Sequence, residues 1–518
     1  MNQSMKRGSQ ETITLWQDQA VAAPAIPLQE NLKTEVAVIG AGISGLSVAY
    51  FLQKAGKSVA VIDAWGLGSG DTSRTSAHLT AVIDQRYYKT ESLYGEKTAR
   101  LVAESHMAAI NRIETICQEE KIDCDFMRLP GYLTAAGDGI QDLEKELPAV
   151  KRAGLSDAKL LNFIPELGEN SAPALLFPQQ AQFDIAKYLA GLAGCFIQKG
   201  GKIFTHSPVR EISGGKKAYS KTESGYRIDA DSIVVATHSP VNDLVTMHTK
   251  QAAYRSYIIV CDIDKNFLPP FLFWDTMDPY HYIRLVKNGG KDMVLIGGED
   301  HKCGQADDQL ARWQRLEAWA RNLLPALGPV RYRWSGQIME SVDGLAFIGR
   351  NPSGADNVYI VTGTAGNGIT YGTIAGFLIS DLILGRDNPW AGIYDPSRKP
   401  FKALGTYVKE NTNFMGCMVS DWMKGGEVRS ADDIKPGEGA IMQQGASKIA
   451  VYRDASGTLH EYSALCTHLK CIVRWNKEEK SWDCPCHGSR FTPQGQVLNG
   501  PALYPLPPAT EKMAKKAG

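Results

Sequence analysis

Long apolar runs are missing from this sequence. Nothing in its 518 residues approaches the ~18–20 consecutive apolar positions of a membrane-crossing helix, so no span is expected. The opening stretch MNQSMKRGSQETITLW has no apolar segment of secretory-signal type, and a cytoplasmic protein is the expectation. Neither charge sign dominates: 56 Lys and Arg stand against 56 Asp and Glu, which excludes the electrostatic footprint of a nucleic-acid binder. Internal repeats and low-complexity segments are absent. Histidine is scarce. Of the 10 present, His78, His106, His206, His238, His248, His281, His301 and His460 form no closely spaced metal-binding pair. That argues against a mononuclear iron held by two histidines and a carboxylate, and so against oxygen activation there. Cysteine is sparse too: Cys117, Cys124, Cys195, Cys261, Cys303 and Cys417 are scattered and read as free thiols of a reducing compartment. An apolar content of 43% with 22% charged residues is that of an ordinary globular protein. The chain is too long for one core, so about two to three domains are expected.

What the sequence does hold is concentrated in residues 466–491. CTHLKC places Cys466 two positions before His468, and CPCHGSRF places Cys484 three before His487. Two thiolates and two imidazoles on two short loops can hold a [2Fe–2S] cluster, cysteines on one iron and histidines on the other. Neutral imidazole raises the potential above that of an all-cysteine cluster. The same donors bind structural zinc, although zinc sites favour cysteine pairs two to four residues apart.

Through these two loops and Gly500-Pro501-Ala502, the stretch resembles a Rieske iron–sulfur domain of the cytochrome bc-complex type. The resemblance implies Cys466, His468, Cys484 and His487 as ligands, and a disulfide between Cys471 and Cys486. Two positions depart from the pattern. Lys470 stands where the first loop usually has glycine. Phe491 stands where high-potential members often have a tyrosine that donates to a ligand sulfur. Ser489 is retained and can donate its hydroxyl proton. With one such bond fewer, the potential should lie below that of the respiratory proteins. An apolar exposed rim around His468 and His487 would suit docking of a redox partner. From Glu427 onward, short alternating runs with turns at 454–457 and 476–479 suit small antiparallel sheets, and the closing EKMAKKAG reads as a solvated tail.

A second construction lies near the other end. After a polar, proline-containing lead to about residue 33 comes EVAVIGAGISGLSVAYFLQKAGKSVAVIDA. A buried-strand run over 36–39 leads to Gly40, Gly42 and Gly45. A helix is expected over about 43–54, then a second strand ending in Asp63. The glycines permit a tight turn and close approach of a pyrophosphate, the helix N-terminus faces its charge, and Asp63 can accept from a ribose hydroxyl. GLGSGDTSRTSAHLTAV follows, where Ser73, Arg74 and Thr75 are candidate cofactor contacts. DADSIVVATHSPV (229–241) is another strand and turn. WSGQIMESVDGLAFIGR (334–350) precedes VYIVTGTAGNGITYGTIAGFLISDLILG, a strand, a second glycine turn and an apolar helix. There Gly363, Gly366, Gly368 and Ile369 let backbone approach a flavin, and a helix N-terminus would stabilise the anionic edge of the reduced ring.

Together these segments resemble the FAD-dependent oxidoreductases of the D-amino-acid oxidase, glycine oxidase and sarcosine oxidase superfamily, over roughly residues 34–395. The resemblance implies an α/β (α+β) fold. A Rossmann-type FAD-binding domain (about 34–85, 181–250 and 331–395) interleaves with an antiparallel-sheet substrate domain (about 86–180 and 251–330). A linker over 396–425, with a helix expected over about 408–423, joins an all-β Rieske domain over 426–508. Relatives of this kind take a hydride from a carbon beside an amine nitrogen. Their carboxylate-binding arginine lies a few residues before the Asp343-Gly344 pair, and here that slot is Ile338, which puts an amino-acid carboxylate in doubt. Arg255 and Arg284 are alternative clamps, while Tyr280, His281 and Tyr282 could line the flavin face. Each is equally readable as an ordinary sheet residue, and His78, a possible covalent flavin tether, as an ordinary loop histidine. The expected activity is oxidation of a C–N bond in a small amine or amino-acid-like molecule by hydride transfer to FAD. Electrons would then pass one at a time through the cluster to a one-electron partner. A redox carrier or sensor, or a reductase with the flow reversed, remains the alternative; a large closed pocket at the flavin face would favour the enzyme and a filled one the carrier.

Overall fold

The strand–glycine–strand unit forms the middle of a sheet. Leu32–Ile39 lies between Arg227–Val235 and Val59–Ile62, parallel to both, so four apolar residues of each strand meet. Val358–Thr362 continues the sheet beyond Arg227–Val235, Lys202–Phe204 closes the far side, and Phe347–Arg350 adds one antiparallel edge. Runs such as VAVI are buried on both faces, as a parallel sheet covered by helices requires. The molecule, seen here as a computed structural model, is described over residues 12–19, 26–241, 247–399, 403–423 and 425–509. The first residues of the polar lead and the EKMAKKAG tail lie outside these.

Two helices cover the dinucleotide face. Ile43–Lys54 is apolar all round, with Leu46, Val48, Ala49, Tyr50 and Leu52 buried. Gly368–Leu384 packs across it closely enough that a side chain at Gly376 would strike the Phe51 ring. Together with the turn before it, this second helix (Ala365–Leu384) is long and apolar enough to cross a membrane, contrary to the sequence expectation. It is a core element: 67% of its apolar window is buried inside the molecule. Each fully buried Leu or Ile there contributes about 1.5–3 kcal/mol.

The second sheet runs in the order Val330–Ser341, Gln251–Asp262, Lys291–Lys302, His281–Asn288, Leu272–Asp275, Met127–Thr134, Ala174–Gln182 and His78–Leu79. It is antiparallel except where Leu272–Asp275 meets Met127–Thr134. One boundary moves: Val330–Ser341, expected in the FAD-binding part, pairs along its length with Gln251–Asp262 and belongs to this sheet. The alternating pattern of that strand matches a sheet with one face on a core and the other on a neighbour. The linker helix is longer than expected, Leu404–Met423. Beyond it a three-stranded and a four-stranded antiparallel sheet form the C-terminal domain. Its core joins Trp482, Phe491, Val473 and Leu506 to Cys466 and Cys484.

Candidate functional site

One cavity of about 470 Å³ is lined by residues of both sheets. Gly40, Gly42, Ile43 and Asp63 line it, as do Arg74, Thr75, Gly366, Gly368 and Ile369. Gly40 has φ +110°, and a side chain there would collide with the Ala236 carbonyl, so only glycine fits this turn. Gly45 lets the helix lie on the turn, since a side chain would enter the Gly40 carbonyl. Gly42 at the start of the helix has no side chain to cap it; Ile43 N–H donates to the Thr72 hydroxyl at 3.2 Å, and the next N–H groups of the first turn are left for an anion. Asp63 organises the site: Oδ2 accepts from Ala41 N–H at 2.8 Å and Oδ1 from Trp65 N–H at 2.8 Å. Ser73 and Gly363 are not on the cavity wall; Ser73 donates to the Gly70 carbonyl at 3.0 Å, and Gly363 shapes its turn at φ +67°. Cradle, helix N-terminus and acid fit a dinucleotide.

The antiparallel sheet supplies the far end. Ile338 lines the cavity on the face it shares with Gly336. Opposite stand Ser256, Tyr280, Tyr282 and Asp84. The Tyr282 and Ser256 hydroxyls are 3.2 Å apart, and Asp84 Oδ2 accepts from Gly366 N–H at 2.8 Å. The exposed surface of Asp84 faces the cavity, and its carboxyl is pushed up by being shut away from bulk water. Behind this wall lie Asp300 and Glu340, which the sequence reading missed. Burial raises Asp300 to about 7, opposed by a hydrogen bond from Ser256 and helped by Asp84, and raises Glu340 to about 8, with Asp300 and Asp84 adding to the shift.

The arginine clamps are elsewhere. Arg284 is buried and donates to the Ala77 carbonyl at 2.5 Å and the Phe183 carbonyl at 3.1 Å. Arg255 alternates to the other face of its strand and reaches the C-terminal domain. His281 Nδ1 pairs with Asp275 Oδ2 at 2.8 Å and stacks on Trp319, away from the cavity. Of the residues put forward for the flavin face and the clamp, Tyr280 and Tyr282 are on the wall, and His281, Arg255 and Arg284 are not. His78 also touches the cavity; both ring nitrogens have partners, Ser76 Oγ at 2.8 Å and the Ile283 carbonyl at 3.3 Å, and burial lowers it to about 3.

In the C-terminal domain the four expected ligands converge. The His468 and His487 rings are 5.0 Å apart, and Cys466 and Cys484 are buried free thiols. Within that coupled pair the Cys484 thiol holds Cys466 below its ordinary value, with Ser489 assisting. Ser489 Oγ accepts from Ala502 N–H at 3.0 Å, which orients its own proton toward the sulfur. Cys471 and Cys486 are disulfide-bonded with Cα atoms 6.6 Å apart, tying the two loops together. Two sulfurs and two imidazoles so placed fit a [2Fe–2S] cluster.

The expected exposed rim is not found. The His248 ring from the larger domain packs at 4.8 Å from His468 and 5.9 Å from His487. Gln337 Nε2 donates to the Gly488 carbonyl at 2.7 Å, and Gln305 Nε2 to the Pro485 carbonyl at 2.9 Å. Arg255 grips Glu479 at 2.6 and 2.7 Å, and Arg490 joins at 3.0 Å. Burial would raise Glu479, but Arg255, Arg490 and Arg74 hold it down to about 2. Asn499 donates to Asp71 at 2.9 Å, and residues 496–503 of the C-terminal domain complete the cavity wall. The cluster's histidine face is covered because the sequence places donors for it on the larger domain, a relation no local spacing announces.

A family model described as FAD dependent oxidoreductase matches residues 35–382, and one described as Rieske [2Fe-2S] domain matches residues 425–510. The chain belongs to the FAD-dependent oxidoreductase family. It carries a Rieske domain, and with these two modules come FAD and a [2Fe–2S] cluster. It is 32% identical over 93% of its length to the Rieske 2Fe-2S iron-sulfur protein YhfW of Bacillus subtilis, covering 95% of that chain. Against the γ-glutamylputrescine oxidoreductase of Escherichia coli, identity is 25% over 70% of this chain and 86% of that one. The crystal structure of glycine oxidase from Geobacillus kaustophilus shares the fold of the larger domain: TM-score 0.59, 18% identity, 71% of this chain and 100% of that one.

Proposed function

We propose that this flavoenzyme oxidises a C–N bond of a small amine or amino-acid-like molecule and delivers the electrons through its own Rieske cluster to an external one-electron acceptor. The observation that carries this reading is the shared wall: one cavity is bounded by the dinucleotide cradle and by residues 496–503 of the Rieske domain. FAD held in this cavity would supply a two-electron hydride acceptor, and a [2Fe–2S] cluster held by Cys466, His468, Cys484 and His487 a one-electron one. The chain's own part is to position and to seal. Gly40, Gly42 and the helix N-terminus at Ile43 would hold the pyrophosphate, and Asp63 orients the loops around the ribose. Gly366, Gly368 and Ile369 would bring backbone to the ring edge. Tyr280 and Tyr282 line the cavity near Ile338. His248, Gln337 and Gln305 keep the ligand loops against the larger domain. The cavity's reach to Ser256, Tyr280, Tyr282 and Ile338 on the antiparallel sheet supports turnover over a purely carrier role.

The test is anaerobic mixing of holoprotein with candidate amines, following flavin absorbance and the reduced-cluster EPR signal together. The expected result is bleaching accompanied by cluster reduction within the same turnover. Bleaching with a cluster that stays oxidised would defeat the relay.

A further inference from the structure

We infer that the Rieske domain is part of the FAD site: its docking and the retention of FAD stabilise one another through the short turn Asp71–Arg74, with Asp71 as the positioning residue. This rests on FAD lying in the cavity described above, and on neither the substrate nor the relay. Each side chain of the turn is engaged, and each reaches a different part of the molecule. Asp71 Oδ2 accepts from Asn499 Nδ2 of the C-terminal domain at 2.9 Å, and Oδ1 from Gln337 N–H at 2.9 Å. Thr72 Oγ1 accepts from Ile43 N–H, at the start of the dinucleotide helix, at 3.2 Å. Ser73 Oγ accepts from Gln17 Nε2 at 3.4 Å. Arg74 donates to the Ser335 carbonyl at 2.8 Å and lies 4.0 Å from Glu479 of the C-terminal domain.

The turn is packed so closely that it moves only with these partners. A side chain at Gly42 would come within 2.9 Å of the Thr72 hydroxyl, and one at Gly336 within 3.1 Å of the Arg74 carbonyl. Asp71, Thr72 and Arg74 line the cavity, and so do Val497, Leu498 and Asn499 from across the domain boundary. Asn499 is buried and lies in register with Arg490 of the ion network. Gln337 joins the same connection to the cluster: its backbone N–H holds Asp71, and its side chain holds the Gly488 carbonyl beside the ligand His487. Undocking the C-terminal domain would take Asn499 from a carboxylate whose side chain is 11% exposed, which costs free energy because little water can replace the donor. It would also loosen the turn that holds the Ile43 end of the dinucleotide helix and open the wall at 497–499. By linkage, a dinucleotide bound against that helix and wall favours the docked arrangement by the same factor as docking favours the dinucleotide.

Release of FAD from the full-length holoprotein tests this, read as recovery of flavin fluorescence after dilution. Asn499→Asp sets a second carboxylate against Asp71 and should speed release roughly ten-fold or more. Asn499→Leu only removes the donor and should speed it roughly five-fold. Asp71→Asn combined with Asn499→Asp restores a donor–acceptor pair and keeps an oxygen for Gln337 N–H. The double variant should therefore release FAD more slowly than either single variant, a departure from additivity that a general loss of packing does not produce. The cluster's EPR spectrum should stay that of the wild type throughout. Wild-type release from Asn499→Asp, or a double variant in which the two effects simply add, would overturn the inference. Loss of the EPR signal together with FAD would assign the effect to the Rieske fold and overturn it as well. The two readings fail separately. Unchanged FAD release with cluster reduction on bleaching would sink the coupling and keep the relay. Faster release with a cluster left oxidised after bleaching would keep the coupling and sink the relay.

Discussion

The two reaction centres of this molecule are built in opposite ways. At the cluster, four ligands come from two loops within residues 466–487, and the neighbouring domain closes over them with hydrogen bonds and a buried ion network. At the antiparallel-sheet wall of the flavin cavity, the lining comes from residues 84, 256, 280, 282 and 338, and the carboxyls of Asp300 and Glu340 lie buried behind it and shifted upward. One centre is a paired ion network under a covering domain; the other is a cavity wall backed by electrostatically frustrated acids.

Breaking the sealed side should have the largest effect. Glu479 is 3% exposed and lies between Arg255 and Arg490, each 1% exposed. Glu479→Gln leaves the Arg255 guanidinium without a carboxylate, while Arg490 keeps Asp483 at 2.8 Å, and should cost about 3–5 kcal/mol, read as a lower thermal midpoint for the holoprotein. It should also slow cluster reduction relative to flavin reduction, because the domains no longer lock. A change confined to midpoint, with cluster reduction untouched, would show the network to be structural only.

The frustrated side should respond to pH in the other sense. Asp300 and Glu340 hold protons more tightly folded than unfolded, with values of about 7 and 8. Their contribution is therefore full at acid pH and is lost as pH rises from about 4 through about 8. Substrate-free protein should lose stability across that window. Asp300→Asn should flatten the slope and stabilise the protein at pH 8 by about 1–3 kcal/mol, measured as thermal midpoint against pH. An unchanged slope would mean that Asp300 does not carry it.

A smaller effect tunes the cluster. Phe491 is fully buried in the same apolar core as Cys466 and Cys484. Phe491→Tyr places a hydroxyl among the ligand sulfurs and should raise the cluster potential, followed by redox titration with EPR detection. No rise would mean that the hydroxyl finds another acceptor.

The contrast also explains what was legible in the sequence. The cradle at Gly40–Asp63 and the ligand loops are continuous stretches whose chemistry depends on spacing along the chain, so both were readable, as was the disulfide once the family resemblance was seen. Residues that act through the fold were not. Asp300 sits on a bulge in a strand whose partner lies some forty positions earlier, and His248 meets His468 only because two domains dock. Arg255 misled for the same reason: alternation on its strand decides which face it serves, and one step put it with Glu479 instead of the flavin. The Val330–Ser341 strand was placed in the wrong half because its pairing partner, not its own pattern, assigns it.

The smallest expected effect concerns Lys470, where the sequence departs from the family's glycine. The structure gives the departure a cause and a cost. Lys470 has φ +63°, a left-handed conformation in which a Cβ crowds the following carbonyl, and its N–H closes the first ligand loop onto the Cys466 carbonyl at 3.0 Å. The loop therefore takes a backbone conformation that favours glycine, held here under local strain. Lys470→Gly removes roughly 1 kcal/mol of that strain but loosens the unfolded chain by about half as much, so a net gain of about 0.5 kcal/mol is expected in chemical denaturation. Because Lys470 is exposed and its side chain stands outside the sealed face, the cluster's EPR spectrum should stay as it is. A loss of stability would instead show that the lysine side chain contributes more than its backbone costs, and would make this loop a place where charge outweighs geometry.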